Sequence, residues 1–459
     1  MALDPIAAEL EGIVGRGRVL AGGDIKDEYL HDEALGVEPE TPRAVVFPRD
    51  AAQTRQIVAW ANTTRTALTP RGADTGLSGA CIPTRDGVVV AFERMNAVLE
   101  IDTDNHVAVV QPGVTLEQLD AETSRHDLVY PTFPGELSAS LGGNVATNAG
   151  GMRAVKYGVT RHQVLGLEAV LGTGETIRTG GKFVKSTAGY DLTQLIVGSE
   201  GTLALVTEAI VRLYPRLAHK ATVLAPFASL PECTGSVPKL IHTGIGPLMV
   251  EYIDLVTMAA LVNAGDLELG VPPDIQQKAL AYLVVVLENN HEDRLTEDTA
   301  QVAELLAGQG ALEIYVLPPT AGDQLITARE RAFWLAKAAG ADDIIDVVVP
   351  RADIAPFMDD VAAIAGASGS WVSGCGHAGD GNVHLSVFQS DPAKRQEVIE
   401  AILRAGTDRG GAISGEHGIG RGKRKYLAAI EDPSKLQLWR RIKTAFDPNH
   451  ILNPGAIFE

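Results

Sequence analysis

Residues 140–151 read Ser-Leu-Gly-Gly-Asn-Val-Ala-Thr-Asn-Ala-Gly-Gly. Nearly every side chain in this run is tiny or a hydrogen-bonder, so the stretch buries little apolar area of its own. It makes a poor core segment and a good lining for a large polar ligand. Just upstream lies Thr132-Phe133-Pro134-Gly135-Glu136, of the same character. A second block, Pro70-Arg71-Gly72-Ala73-Asp74-Thr75-Gly76-Leu77-Ser78-Gly79, places successive small residues in a turn, where backbone N–H groups form an anion nest. Arg71, Thr75 and Ser78 add side-chain donors. Alone, this block reads equally as a surface turn. It is neither a dinucleotide fingerprint nor a P-loop, because no Gly-Lys-Ser/Thr follows. A third block, Gly198-Ser199-Glu200-Gly201-Thr202-Leu203, leads into a β-rich run. Such a turn puts backbone donors and acceptors beside a flat ring.

Around these blocks, short strand-like runs alternate with helical ones from about residue 41. Ala44–Pro48, Asp86–Phe92, His106–Gly113 and Ile210–Pro215 read as strands, and Ala51–Asn62 has helical spacing. Residues 1–36 read as a helical lead-in. After Pro215 glycine thins out, and the alternation of strand-like and helical runs indicates a layered domain with both helix and sheet. Neither an internal repeat nor a low-complexity linker interrupts the chain. The expected organisation is a lead-in over 1–36, a ligand-binding domain over 37–216, a second domain over 217–410 and a C-terminal segment over 411–459 that returns to the first domain.

The 459 residues suit two or three domains. The net charge of −19 argues against nucleic acid as a partner, and an anionic substrate would need a local basic site against that field. Three widely spaced cysteines, Cys81, Cys233 and Cys375, offer no disulfide framework and suggest a reducing, cytoplasmic setting. The acidic start, Met-Ala-Leu-Asp-Pro-Ile, does not read as a secretory signal. The strongest apolar run, Leu283–Leu287, is too short to span a bilayer, which leaves peripheral membrane contact open.

A separate constellation lies near the C-terminus. Gly376-His377-Ala378-Gly379-Asp380-Gly381-Asn382-Val383-His384 sets two histidines around a glycine turn, the second opening a strand, and Ser414-Gly415-Glu416-His417-Gly418 follows. Two histidines and a carboxylate leave coordination positions open, as a catalytic metal requires. Any one of the 11 histidines would by itself read as a structural residue. In extended chain Glu416 and His417 would point to opposite faces, one to the metal and one to substrate. Cys375 reads as a small buried thiol rather than a ligand.

Taken together, Pro70–Ala80, the Gly142–Gly151 run followed by Lys156-Tyr157-Gly158, and Val197–Ala209 resemble, in order and spacing, the FAD-binding domain of the vanillyl-alcohol oxidase family. The similarity runs from about residue 37 to the end. It is closest to the branch of glycolate oxidase FAD subunits, D-lactate dehydrogenases and D-2-hydroxyglutarate dehydrogenases. The resemblance implies an α+β protein: a two-lobed FAD-binding domain, an α+β substrate (cap) domain, and a tail returning to the FAD domain. It places Arg71, Gly72, Asp74, Thr75, Gly76, Leu77, Ser78, Pro134 and Gly135 at the pyrophosphate and ribityl chain. Ser140, Gly143, Asn144, Thr147, Asn148 and Gly151 would line the flavin. Glu200, Gly201 and the backbone of Leu205 would lie at the adenine-ribose end, and Asn453 at the flavin edge. Asp74 stands where the family has glycine, so its carboxylate must point away from the pyrophosphate. No histidine occupies the first loop, where some relatives attach the cofactor, so FAD is expected to be non-covalent.

The same resemblance makes His377, His384 and Glu416 ligands of a divalent metal, zinc by analogy, and sets His417 against the substrate as general base. Arg329 takes the place of a substrate-carboxylate arginine, although from sequence it reads as well as a solvated helix-face charge. Phe333, Ile344 and Ser386 replace the threonine, lysine and asparagine of the hydroxyglutarate branch, which favours a monocarboxylate such as lactate or glycolate. The implied activity is oxidation of a D-2-hydroxy acid, with hydride transfer to the flavin. Absence of a cysteine-rich iron–sulfur motif implies an external acceptor: a quinone, an electron-transfer protein or oxygen. Other readings are a D-2-hydroxyglutarate dehydrogenase, an FAD-holding subunit of a glycolate oxidase complex and, more remotely, a metal-dependent hydrolase. The chain would act as a homodimer or as a complex subunit.

Overall fold

A computed structural model describes residues 5–458. They form two compact units. One comprises 5–149, 159–216 and 416–458, and the other 150–158 and 217–415. Against the expected divisions at 216 and 410, the chain divides at 216 and 415, and a nine-residue piece of the first glycine-rich half joins the second unit.

The first unit has two lobes, each built on a sheet. In one, Ala44–Val46, Val88–Ala91 and Leu68–Arg71 pair in parallel, and Val19–Ala21 adds antiparallel to Ala44–Val46. Helix Ala51–Thr64 makes the crossover between the first and third of these strands, and the Asp50 carboxylate caps it by accepting from Gln53 N. The other lobe is an antiparallel sheet ordered Val98–Asp102, Val107–Val110, Ala204–Arg212, Val164–Leu171, Thr176–Gly180. Val46, Ile57, Leu68, Val88 and Val90 of the first lobe pack with Val170 and Leu205 of the second, so one core joins them. Only Pro5–Val14 of the expected lead-in is a longer helix. Gly15 and Gly17, both at positive φ, end it, and Val19–Ala21 is drawn onto the sheet edge instead. Residues 1–4 of that lead-in lie outside the described residues.

The tail does return to the first unit. Leu452 bridges in parallel to Leu68, and Ile451 and Leu452 lie in the shared core. Buried Lys443 ties the tail down by donating to Thr202 O at 2.7 Å, Leu452 O at 2.8 Å and the Asp447 carboxylate at 2.5 Å.

The second unit carries a seven-stranded sheet ordered Tyr315–Leu317, His219–Phe227, Ala281–Asn289, Met249–Asp254, Trp371–His377, Asn382–Phe388, Asp343–Val348. Every pairing is antiparallel, which decides for α+β over α/β. Helices Glu292–Gly308, Pro319–Glu330, Ile354–Ser368 and Pro392–Asp408 accompany it. Segment 150–158 is bound in by side chains. Lys156 Nζ and Tyr157 Oη both reach Glu288 Oε1, at 2.9 and 2.7 Å. Among the described residues, no helix is long and apolar enough to cross a membrane.

Candidate functional site

In the first unit the glycine blocks meet one another. A Cβ on Gly72 would run into Ser140 Oγ, one on Gly201 into the Pro70 ring, and one on Gly420 into the Ser78 carbonyl. These contacts require glycine and pack the loops at backbone distance. Ser140 caps helix Leu141–Thr147 by accepting from Gly143 N. Gly198 N and Glu200 N donate to Val145 O and Ala146 O at 2.9 and 2.7 Å, which docks the third block on the second. Asn148 closes the helix in the left-handed conformation, and its Oδ1 accepts from Arg161 N.

Several residues expected at the cofactor have further partners. Thr147 Oγ1 bonds Gly143 O within the helix. Arg71 is buried and held on three sides, by Asp74 at 2.6 Å, by His31 O at 3.1 Å and by stacking over the Tyr29 ring. Asp74 sits at φ +55°, and its carboxylate is turned onto Arg71. The segment around Tyr29 and Asp32 that wraps this loop carried no motif. Leu77, Thr75 and Gly76 are half-buried in the same loop, and Gly76 O accepts from Glu33 N. Pro134 and Gly135 lie in the half-buried 131–139 connection. Leu205 faces the core, opposite Val170. Gly151, alone among the expected flavin residues, belongs to the second unit.

Glu200 is a hub. Its carboxylate accepts from Ile419 N and Gly420 N, each at 2.7 Å, while its carbonyl accepts from Asn453 Nδ2 at 2.7 Å. Asn453 Nδ2 also donates to Ala80 O at 3.0 Å. Burial outweighs these donors and pushes the Glu200 carboxyl up to about 7. Asp32, buried beside Cys81 N, is pushed up to about 6 for the same reason.

The chemistry of this cradle fits FAD. Ser78 Oγ, Asn144 Nδ2, Ser199 Oγ and Asn453 Oδ1 are buried without a protein partner among the described residues, and they lie on the converging loops. Buried polar atoms of native proteins are paired, so this set calls for a polar ligand.

In the second unit, strands Trp371–His377 and Asn382–Phe388 form a hairpin about the glycine turn. His384 therefore lies inside the second strand rather than opening it. Register puts Cys375, His384 and Asp346 on one rung and Ser373, Ser386 and Ile344 on the next, so all six share a face. His377 and Asn382 form the neighbouring rung on that face. The two imidazole rings meet edge to face with centroids 4.9 Å apart, and their ligand nitrogens lie within 4.8 Å of each other. Burial pushes the Cys375 thiol up, which makes it a poor thiolate ligand.

Two buried carboxylates that sequence reading missed complete this face. Glu251, 0% exposed, accepts from His377 Nδ1 through Oε1 at 2.7 Å and pairs through Oε2 with Arg329 Nη2 at 3.0 Å. Arg329 is thus buried in the last turn of its helix and is not a solvated surface charge. Asp346, also 0% exposed, accepts from Gly415 N at 2.7 Å and from Ser414 Oγ. It thereby anchors, opposite His384, the residue that immediately precedes Glu416. A Cβ on Gly415 would collide with the Asn382 amide. The chain at Glu416 and His417 is bent rather than extended, flanked by Gly418 at φ +79°. The segment is thus not the extended chain expected, and His417 Nε2 lies 4.0 Å from Glu416 Oε1.

Comparison with known proteins identifies the family. Residues 42–180 match the FAD binding domain model, and residues 216–457 match that of the FAD linked oxidases, C-terminal domain. An uncharacterised FAD-linked oxidoreductase of Mycobacterium tuberculosis is 52% identical over 99% of both chains. D-lactate dehydrogenase of Anaerostipes hadrus is 35% identical, covering 96% of this chain and 94% of its own. Glycolate oxidase subunit GlcD of Bacillus subtilis is 37% identical, covering 91% and 89%. Among solved structures, p-cresol methylhydroxylase with substrate bound superposes with a TM-score of 0.79 at 17% identity, covering 98% and 95%, a likeness of fold. By its matched domains, its cradle and its relatives, this chain belongs to the FAD-linked oxidases, as an FAD-dependent oxidoreductase with a fold of the vanillyl-alcohol oxidase type.

Proposed function

We propose that the chain oxidises a small D-2-hydroxy acid, with a monocarboxylate of the lactate or glycolate type as substrate and non-covalent FAD as the oxidant. His377, His384 and Glu416 are the proposed ligands of a divalent metal, zinc by the family resemblance. The observation that carries the reading is the pair of histidines on one sheet face, one of them oriented by a buried carboxylate. When bound, FAD accepts the α-hydrogen as a hydride. A divalent cation held by these three side chains supplies Lewis acidity toward the substrate hydroxyl. His417, through its imidazole, takes the hydroxyl proton as general base.

Arg329 pairs with the substrate carboxylate, having five N–H donors in a rigid fork. Because its Nη2 already shares charge with Glu251, it suits one carboxylate better than two. Ser386 and Ile344 on the His384 face bring no cation for a second carboxylate, which favours the monocarboxylate over hydroxyglutarate. D-lactate dehydrogenase and glycolate oxidase subunit GlcD among the relatives support the same class. Three free cysteines fit a reducing, cytoplasmic setting. The electron acceptor is an external one, and the chain works as a homodimer or as a complex subunit. Anaerobic mixing with a panel of D- and L-2-hydroxy acids tests the substrate. Bleaching of the flavin by D-lactate or glycolate, with a weaker response to D-2-hydroxyglutarate, is the expected result. A panel that leaves the flavin oxidised refutes the reading.

A further inference from the structure

We propose that Glu251 is a positioning residue: it holds His377 in the ligand-presenting tautomer and couples that histidine to Arg329. The inference rests on the metal reading above and deepens it. Glu251 lies in strand Met249–Asp254, where Tyr252 opposes Gly376 and Ile253 opposes Cys375, so the ladder sets Glu251 opposite His377. The 126-residue separation is closed by strand register alone. A fully buried carboxylate costs several kcal/mol unless it is paired. Here the two oxygens diverge, one to an imidazole at 2.7 Å and one to a guanidinium at 3.0 Å.

A carboxylate accepts only, so Nδ1 of His377 carries the hydrogen, and Nε2 is the nitrogen left to face a metal. Nε2 is the atom a metal takes from a histidine oriented in this way. The neighbouring His384 ring lies 4.9 Å away, edge to face, on the same sheet face. The other oxygen holds Arg329 Nη2 in an ion pair at 3.0 Å. One buried carboxylate thereby sets the relative placement of a proposed metal ligand and the proposed substrate cation. Stability alone does not require the arrangement, since apolar residues of similar volume commonly replace a buried ion pair without loss.

The test uses the full-length, FAD-loaded protein stripped of metal, with zinc titrated in competition with a chromophoric chelator. Glu251→Gln keeps the volume but turns an acceptor into a donor on one side. It is expected to weaken zinc binding about 10–100-fold, the usual effect of losing an outer-shell partner, with FAD content unchanged. In a His377→Ala background the same change should cost less than about 2-fold, because the effect runs through His377. The KM for the hydroxy acid should rise with Glu251→Gln as Arg329 loses its brace. Wild-type zinc affinity in Glu251→Gln, or an equal cost with and without His377, overturns the proposal. If Glu251→Gln does not fold, Glu251→Asp carries the test. It retains the charge one methylene short, and weaker zinc binding supports the proposal while unchanged binding overturns it. A wild-type protein that takes up no zinc fails the metal reading and Glu251 with it. Tight wild-type binding that Glu251→Gln leaves unaltered fails Glu251 alone.

Discussion

Replacing His417 by alanine removes a ring whose Nε2 lies 4.0 Å from Glu416 Oε1. If His417 is the base, the loss costs about 10²–10⁴-fold in turnover, while zinc and FAD contents stay at wild-type levels. The pH–rate profile should lose the ionisation of the base. Because the two side chains lie within 4.0 Å, the competing outcome is concrete. A His417→Ala protein that loses its metal and keeps its pH dependence makes His417 a ligand. At this scale the histidine motif was readable as a cluster of unusual residues in glycine-rich chain. The local bend was not, since extended and bent backbone carry the same sequence around Gly415 and Gly418. Glu251 was invisible for a different reason: Met-Val-Glu-Tyr-Ile-Asp reads as an ordinary strand, and nothing local marks its glutamate as buried.

The element that most rewards a stability measurement is the tail, clamped to the first unit by Glu200, Asn453 and Lys443. Burial raises the Glu200 carboxyl from 4.5 to about 7, so the folded state holds a proton there that the unfolded chain releases. The sign follows from linkage: this stabilisation is complete below about pH 4.5 and is lost as pH rises through about 7. Asp32, raised to about 6, acts in the same direction over a lower window. The melting temperature of the FAD-loaded protein is therefore expected to fall as pH rises from about 4.5 to about 7. Glu200→Gln should lower it overall, because an amide N–H then meets a backbone donor, but should flatten the slope by a few degrees across that range. Equal slopes in both proteins would show that Glu200 does not titrate there. The strands and most of the helix Ala51–Thr64 were legible from alternation and helical spacing, whereas the short strand Val19–Ala21 inside the lead-in was not. Three residues give no period, and pairing with Ala44–Val46 decides their state.

On the scale of the whole molecule, the cradle for FAD and the histidine pair are built in different compact units. His377→Ala and His384→Ala are thus expected to abolish turnover and lower the zinc content of the purified protein while its flavin absorbance persists. Loss of FAD from these variants would contradict separate binding. In the wild type, acid precipitation should release a yellow supernatant containing FAD, because no histidine stands in the first loop. Colour retained in the pellet would mean a covalent bond.

The family is written in the order of three glycine blocks whose small residues no packed core would select, and His377, His384, Glu416 and His417 stand out as a chemical cluster before any fold is known. The sequence also carried the return of the tail as an expectation, because the final Asn-Pro-Gly matched the family. Which side chains those residues meet follows from the folded arrangement alone. Arg71 is locked by Asp74 and by the Tyr29 segment, Arg329 is buried against Glu251, and Asp346 holds the loop before Glu416. The period of a strand tells which residues share its face, but the identity of the neighbouring strand and its register come from closing long loops over a common core. Until that choice is made, a buried carboxylate and its distant partner are two unrelated letters.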